Sequence, residues 1–138
     1  MHFENSKYSK EFKYTKLEYP FGNFYLCEKF FISELNDGVH FNWEKIQLVM
    51  DDLIKHYDHD TSLAYISNRI NSYSIDPQTW KQTLDKYKII IASSIVAYTS
   101  FTFYNASLEK VFSEKSIKRC LNLKEAIEWS LNLREFNY

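Results

Sequence analysis

Residues 63–77 have the sequence LAYISNRINSYSIDP, in which a short apolar segment is followed by a polar loop and then by a helix start. Residues 63–66 have the length and apolar character of a buried β-strand. Asp76 followed by Pro77 is typical of a helix N-cap with proline at the first helical position. A buried strand that leads into a helix indicates an α/β fold, and we expect a regulatory or binding site in the polar loop between them.

The segments before this stretch predict a hairpin and a helix. Residues 12–19 are rich in aromatic side chains, residues 24–35 alternate and favour β-structure, and YPFGN at 19–23 supplies residues for a tight reversal. We therefore expect an N-terminal β-hairpin. From Asn42 to Tyr57, apolar side chains recur at helical spacings, which predicts an amphipathic helix capped by Asn42.

The segments after it predict alternating helices and strands. We expect a second helix over 77–87, a strand covered on both faces over 89–98, a third helix over 105–113 and a short strand over 117–121. Asn122, with Glu125 three residues later, forms a capping-box-like start for a last helix.

The predicted element order is therefore ββαβαβαβα, an α/β fold with about five strands and four helices. Strands joined through helices lie parallel, so the sheet is predicted to be mixed and mostly parallel. We expect one domain over residues 1–138, with a polar N-terminal arm at about residues 1–11.

Composition excludes several classes of function. Seventeen basic and 18 acidic side chains leave a formal net charge of −1, which gives no footprint for nucleic acid. The only glycines are Gly22 and Gly38, so neither a Walker loop nor a GxGxxG turn occurs, and no cofactor is expected. The first ten residues lack an apolar segment, and the longest apolar window, 89–98, is interrupted by serines. We therefore expect neither export nor a membrane span.

Cys27 and Cys120 are far apart in the sequence and lie in apolar surroundings. Free cysteine in such a context usually behaves as a small hydrophobic residue. This usage predicts buried thiols and a cytoplasmic location. His40 lies near a predicted strand end, but nothing in the spacing joins it to either cysteine as a catalytic base.

Four segments resemble one known family, the STAS domain of anti-sigma-factor antagonists, and especially its divergent bacterial branch grouped with CRAL-TRIO lipid-transfer proteins. They are NDGVHFNWEKIQ at 36–47, AYISNRINSYSIDP at 64–77, IASSIVAY at 91–98 and NLKEAIEWSL at 122–131. The resemblance implies a single STAS-like domain. Antagonists of the sporulation type carry an Asp-Ser-Ser-Gly phosphorylation motif before the second helix. This chain has Ser-Tyr-Ser-Ile-Asp-Pro there, so the kinase switch has no matching residue.

The candidate contact or switch loop contains Arg69, Asn71, Ser72 and Ser74. It follows a parallel strand and precedes a helix, where open α/β sheets place ligands. Arg69 could pair with a phosphate or carboxylate, and Ser72 or Ser74 could accept a phosphoryl group. Alternatively, the serines and asparagine close turns, and Arg69 bridges to a carboxylate within the chain.

Two further groups offer weaker candidates. His56 and His59, beside Asp58 and Asp60, are ligand types for a divalent metal, although a solvated helix end explains them as well. Phe101, Phe103 and Tyr104 follow a buried strand. They could line an apolar pocket or an interface, or simply fill the core.

These observations favour a non-enzymatic, cytoplasmic regulatory or interaction module that binds a protein partner through the loop before the second helix. One alternative is a binder of a small apolar or lipid-like ligand, suggested by the aromatic content. Another is a metal-dependent enzyme that uses the histidines near residue 56. The sequence does not decide whether the protein forms a homodimer.

Overall fold

The computed structural model describes residues 1–58, 60–111 and 117–136. This part of the chain contains six strands: β1 (Thr15–Tyr19), β2 (Gly22–Leu26), β3 (Phe30–Leu35), β4 (Leu63–Arg69), β5 (Ile90–Ala97) and β6 (Ile117–Cys120). The five α-helices of the described residues are α1 (Tyr8–Glu11), α2 (Trp43–His56), α3 (Thr79–Lys86), α4 (Ser100–Val111) and α5 (Leu123–Leu131). Short 3-10 turns occupy Phe3–Asn5 and Arg134–Phe136.

The six strands form one sheet whose spatial order is the order of the sequence, β1-β2-β3-β4-β5-β6. The pairs β1–β2 and β2–β3 are antiparallel, whereas β3–β4, β4–β5 and β5–β6 are parallel. Within the described residues, each parallel pair is joined through one helix, the usual crossover between parallel strands. The predicted α/β class and the mixed, mostly parallel sheet are confirmed.

The number of strands differs from the prediction, which had about five and a two-stranded hairpin. Residues 24–35 contain two strands, not one, because the chain turns at residues 27–29. In that turn the backbone N–H of Cys27 donates to the carbonyl of Phe30 at 2.9 Å. Glu28 and Lys29 are exposed at its tip, so this polar pair ends the apolar alternation. The opening unit is therefore a three-stranded antiparallel meander.

Two helices have capping geometry that the sequence predicted. The side chain of Asn42 accepts the backbone N–H of Lys45 at 3.0 Å at the start of α2. The side chain of Asn122 accepts the N–H of Glu125 at 2.8 Å at the start of α5. An asparagine at the N-cap satisfies one of the amide groups that a helix end leaves without an intrahelical partner.

The α4 helix begins at Ser100, five residues before the predicted start at Asn105. The hydroxyl of Thr99 accepts the N–H of Thr102 at 3.0 Å and so caps the first turn. Phe101, Phe103 and Tyr104 therefore lie on the helix. The last two residues of the predicted helix, 112 and 113, lie outside the described residues.

The α3 helix begins at Thr79, two residues after Pro77. Asp76 still acts as a cap, because its carboxylate accepts the N–H of Gln78 at 3.0 Å in the turn that leads into the helix. The preceding strand is longer than predicted. It continues beyond Ile66 to Arg69, and its polar end is as buried as its apolar start.

Strand alternation divides the core into two layers. On one face, Phe31, Leu63 and Tyr65 pack under α2, α3 and α4. On the other face, Ile32 and Ile66 pack under α5 and the N-terminal segment. The sequence predicted a polar N-terminal arm over residues 1–11. In the structure, this segment carries a 3-10 turn and α1, and Phe3 within it is fully buried.

Candidate functional site

The β4–α3 loop, residues 70–78, is held in place by the β3–α2 loop, residues 36–42. Their backbones run side by side: the N–H of Gly38 donates to the carbonyl of Ser72, and the N–H of Ser74 donates to the carbonyl of Val39, both at 2.8 Å. The N–H of Ser72 also donates to the Asp37 carboxylate at 3.1 Å. A loop fastened along its backbone in this way presents its side chains in a fixed arrangement.

Three of the four predicted contact residues lie on this loop. Ser72 and Ser74 are exposed, and Asn71 is half-buried with its amide donating to the carbonyl of Leu35 at 3.1 Å. The hydroxyl of Ser74 lies 2.7 Å from Nδ1 of His40, and both side chains are exposed. A serine next to an imidazole is a nucleophile–base pairing. Here both groups are in water, and the bond also ties the two loops together.

The fourth predicted residue, Arg69, lies at the end of β4 and is buried, with its side chain 5% exposed. Its Nη1 and Nη2 donate to the two carboxylate oxygens of Glu109 in α4, at 2.7 Å and 2.6 Å. This bidentate pair is the strongest geometry available to an arginine and a carboxylate. Arg69 therefore supports the loop from beneath and does not project from it.

Three more groups complete a buried polar cluster around this ion pair. Nε of Arg69 donates to the hydroxyl of Ser67 at 2.8 Å, and that hydroxyl is 2.8 Å from the hydroxyl of Tyr73. The indole N–H of Trp80 donates to Glu109 at 2.8 Å. Burial opposes the charged form of Arg69, but Tyr73 and Glu109 favour it and raise its pKa above its usual range. The guanidinium is therefore charged whenever the protein is folded.

A groove of about 330 Å³ opens above this cluster, between the β4–α3 loop and α4; we call it the loop groove. Its floor contains Arg69 and Glu109, one wall carries Ser72 and Ser74, and the opposite wall carries α4 residues. The most exposed of these is Phe101, at 71%. The groove thus combines neutral polar groups, the ion pair of Arg69 and Glu109, whose charges compensate each other, and the solvent-exposed side chain of Phe101.

A second cavity lies behind Tyr73, among the apolar side chains that separate the sheet from α2 and α3. Its volume is about 30 Å³, and Phe31, Tyr65 and Trp80 contribute to its lining. That is the space of one or two water molecules. A lipid-like ligand would have to displace core side chains to enter it.

On the opposite face of the sheet, a second buried carboxylate, Glu34, lies at the end of β3. One of its oxygens accepts the N–H of Phe3 at 2.7 Å and the side-chain amide of Asn68 at 2.9 Å. The other lies 3.0 Å from Nδ1 of His2, whose side chain is 51% exposed. The hydroxyl of Tyr98 donates to Asn68 at 2.6 Å. This cluster fastens the N-terminal segment to the sheet.

The structure separates the remaining candidates. His56 is the last residue of α2 and is exposed, with its ring edge-on to Tyr57, while His59 lies outside the described residues. Within residues 1–58, 60–111 and 117–136, no group of three or more metal-ligand side chains is brought together. Cys27 and Cys120 are buried free thiols. Burial raises the pKa of Cys27 to about 12 and that of Cys120 to about 11.

Sequence reasoning did not place His40, Glu109 or Phe101 at this site. Glu109 lies 40 positions from Arg69 in the chain, and no helical or strand periodicity joins residues at that spacing. The sequence did single out Phe101, with Phe103 and Tyr104, as aromatic residues that could line a pocket or an interface, but no pattern joined them to the β4–α3 loop. His40 was predicted only to lie near a strand end, without a partner.

No protein-family model matches the chain, and no curated protein matches it either. It is similar to the crystal structure of an uncharacterised protein of the DUF3478 family from Shewanella loihica PV-4. The similarity covers 85% of this chain and 91% of that one, with a TM-score of 0.49 and 11% sequence identity. That protein is described as having a SpoIIAA-like fold.

Among the described helices, none combines the length and the apolar character needed to cross a lipid bilayer.

Proposed function

We propose that this chain is a non-enzymatic, cytoplasmic interaction module that binds a protein partner through the β4–α3 loop and the loop groove beside it. One observation carries the proposal: a backbone-fastened polar loop faces a solvent-exposed phenylalanine across an open groove. Aromatic side chains surrounded by polar groups are characteristic of protein interfaces.

The fixed loop supports binding to a preformed surface. Because the loop backbone is already hydrogen-bonded to the β3–α2 loop, little conformational entropy is lost when a partner docks. Asn71, Ser72 and Ser74 offer neutral donors and acceptors, which suit main-chain and side-chain hydrogen bonds of a protein partner. Arg69 contributes by holding α4 and the loop in register, because its own charge is already paired.

The cytoplasmic location is supported by the two buried free thiols, since exported domains of this size more often use cysteines as disulfides. The regulatory part of the proposal is that binding is sensitive to changes at Ser72 and Ser74. Both side chains are exposed, the hydroxyl of Ser74 lies 2.7 Å from His40, and the backbone N–H of Ser72 donates to Asp37, so an added negative charge on either serine alters the local electrostatics directly.

Site-specific photo-crosslinking in the native cell tests the proposal. A photoreactive phenylalanine analogue is placed at Ser72, at Phe101 and, as a control, at Gln82 on the exposed side of α3. We expect Ser72 and Phe101 to trap the same protein and Gln82 not to trap it. Ser72→Arg is expected to lower its yield at least about tenfold, since a bulky cation then occupies the groove wall.

Two results would overturn the proposal. The first is the same set of crosslinked species from all three positions, which would mean non-specific encounters. The second is a discrete partner whose yield is unchanged in the variants Ser72→Arg and Phe101→Ala. Arg69 is not used as the probe, because its substitution disturbs the core.

A further inference from the structure

A second groove lies on the other side of α4, between that helix and the carboxyl ends of β5 and β6; we call it the β6 groove. Its volume is about 540 Å³, and its lining includes Tyr98, Phe103, Tyr104, Ser107, Arg119 and Leu121. Tyr104 and Leu121 are 64% and 65% exposed. Single exposed apolar residues are common, but two at the rim of one groove, beside a cation, form a candidate interface.

Strand alternation directs Arg119 into this groove. In β6, Ile117 and Arg119 face α4, whereas Lys118 and Cys120 face α5. Lys118 lies 3.7 Å from the carboxylate of Glu125 in α5. Among the residues that the structure describes, no carboxylate lies within ion-pair distance of Arg119.

The guanidinium of Arg119 is already oriented. It lies over the ring of Phe103, 4.4 Å from the ring centroid, and one of its nitrogens donates to the hydroxyl of Ser107. Stacking covers one face of the planar group, and the remaining N–H donors lie along its edge. An arginine held in this way loses little side-chain entropy when it binds an anion.

We propose that the β6 groove binds an acidic peptide segment of a partner protein. The carboxylate of an aspartate or glutamate pairs with Arg119, and neighbouring apolar side chains of the peptide pack on Tyr104 and Leu121. Charge complementarity selects the carboxylate, because the guanidinium fork matches its two oxygens. Arg69 is the internal contrast: the same fork is already filled by Glu109.

The shape of the groove favours a peptide over a small carboxylic acid. Sites for small molecules enclose most of the ligand surface, whereas here the rim residues stay largely in solvent. Tyr98, another residue of the lining, is also 39% exposed, which extends the open apolar surface along the groove. The site is independent of the proposed contact at the β4–α3 loop, because the two grooves are lined by opposite sides of α4.

Titration of the isotope-labelled full chain followed by NMR tests the proposal. The probes are the tripeptide acetyl-Phe-Glu-Leu-amide and its uncharged counterpart acetyl-Phe-Gln-Leu-amide. We expect the amide signals of Tyr104, Ser107 and Leu121 to shift. The glutamate peptide is expected to bind about tenfold more tightly than the glutamine peptide, the gain of one charge-assisted contact.

Variants connect the preference to Arg119. Arg119→Gln is expected to reduce the tenfold preference to about one, while Arg134→Gln, an exposed arginine in the last 3-10 turn, leaves it unchanged. Arg119→Lys keeps the charge but loses the fork, so an intermediate preference is expected. It also serves as the second variant if Arg119→Gln loses a dispersed spectrum.

Three outcomes would overturn the proposal: equal affinity for the two peptides, signal changes away from the groove, or a preference that persists in Arg119→Gln. Acetyl-phenylalanine, a small carboxylic acid, is the third ligand tested and adds a fourth such outcome. If it binds as tightly as the glutamate peptide, the groove recognises small acids and the assignment to a peptide is wrong.

Discussion

Two buried carboxylates lie near the carboxyl ends of β4 and β3, one on each face of the sheet. Glu109, in α4, is neutralised by the guanidinium at the end of β4 through two short hydrogen bonds. Glu34, under the N-terminal segment, is surrounded by neutral N–H donors and a half-exposed imidazole. Asn68 and Arg69 are adjacent in β4 and serve one carboxylate each, because successive side chains of a strand point to opposite faces.

The difference lies in what each arrangement depends on. The Glu109 cluster depends on one permanent cation, so removing that cation leaves an uncompensated buried charge. In the Glu34 cluster, several weaker donors together compensate the buried carboxylate, so the loss of one donor leaves the other hydrogen bonds in place. A single substitution in the Glu109 cluster should therefore cost most of the stability that the cluster contributes. A single substitution in the Glu34 cluster should cost only a part of it.

The largest expected effect is that of Arg69→Met. Glu109 then stays buried without its cation, and we expect the free energy of unfolding to fall by about 3–5 kcal/mol. Urea unfolding followed by circular dichroism measures it. The double variant Arg69→Met/Glu109→Leu removes both charges and is expected to recover most of the loss. If the double variant is no more stable than the single one, the ion pair is not the cause.

Glu34→Gln is expected to have a smaller effect. The glutamine carbonyl still accepts from Phe3 and Asn68, but the charge-assisted part of those hydrogen bonds is lost, a cost of about 1–2 kcal/mol. The same unfolding experiment measures it. A loss as large as that of Arg69→Met would remove the contrast between the two clusters.

Alkaline pH should weaken the Glu34 cluster through Tyr98. Burial, and then the charge of Glu34, raises the pKa of Tyr98 to about 12. In the unfolded chain this hydroxyl ionises near pH 10. The unfolded state therefore loses its proton first, so this contribution to stability is complete below about pH 10 and is lost between about pH 10 and 12.

Tyr98→Phe tests this pH dependence, since it should lose less stability than the wild type between pH 9 and pH 11. Unfolding midpoints in urea at the two pH values measure the difference. Tyr104→Phe, at an exposed tyrosine on α4, is the matched control and should behave as the wild type. Equal slopes for the wild type and Tyr98→Phe would contradict the assignment.

The smallest expected effect is that of His2→Ala, because the imidazole is 51% exposed and exposed ion pairs contribute little. We expect a loss of at most about 0.5 kcal/mol. A loss above about 2 kcal/mol would mean that the imidazole, and not the neutral donors, neutralises Glu34.

The parts of the fold with clear periodicity could be predicted from sequence. The α2 helix combines helical spacing of apolar residues with an asparagine cap, and β5 is an uncharged, β-branched segment; both lie close to the predicted positions. The start of α4 could not be found this way. Its three aromatic residues favour β-structure, and only the Thr99 cap marks the helix.

The position of the candidate site could be predicted from sequence, but the contacts among its residues could not. The loop before the second helix was predicted from its position between a strand and a helix. The sequence predicts a loop from Ser67 onward because Ser67, Asn68 and Arg69 are polar. All three are buried in β4, and the carboxylate partners of Asn68 and Arg69 lie 34 and 40 positions away in the chain. Pairings between residues 30 or 40 positions apart depend on the tertiary fold, and a single sequence carries no pattern for them.

The spatial order of the strands matches their order in the sequence, so each strand after β1 pairs with the strand directly before it in the chain. During synthesis, each new strand can find its partner already formed, and the sheet can grow by one edge as the chain emerges. The face under α2, α3 and α4 is covered as it grows. The other face is covered in part by the N-terminal segment around Phe3. Its burial is complete only when α5, which is synthesised after all six strands, packs against it.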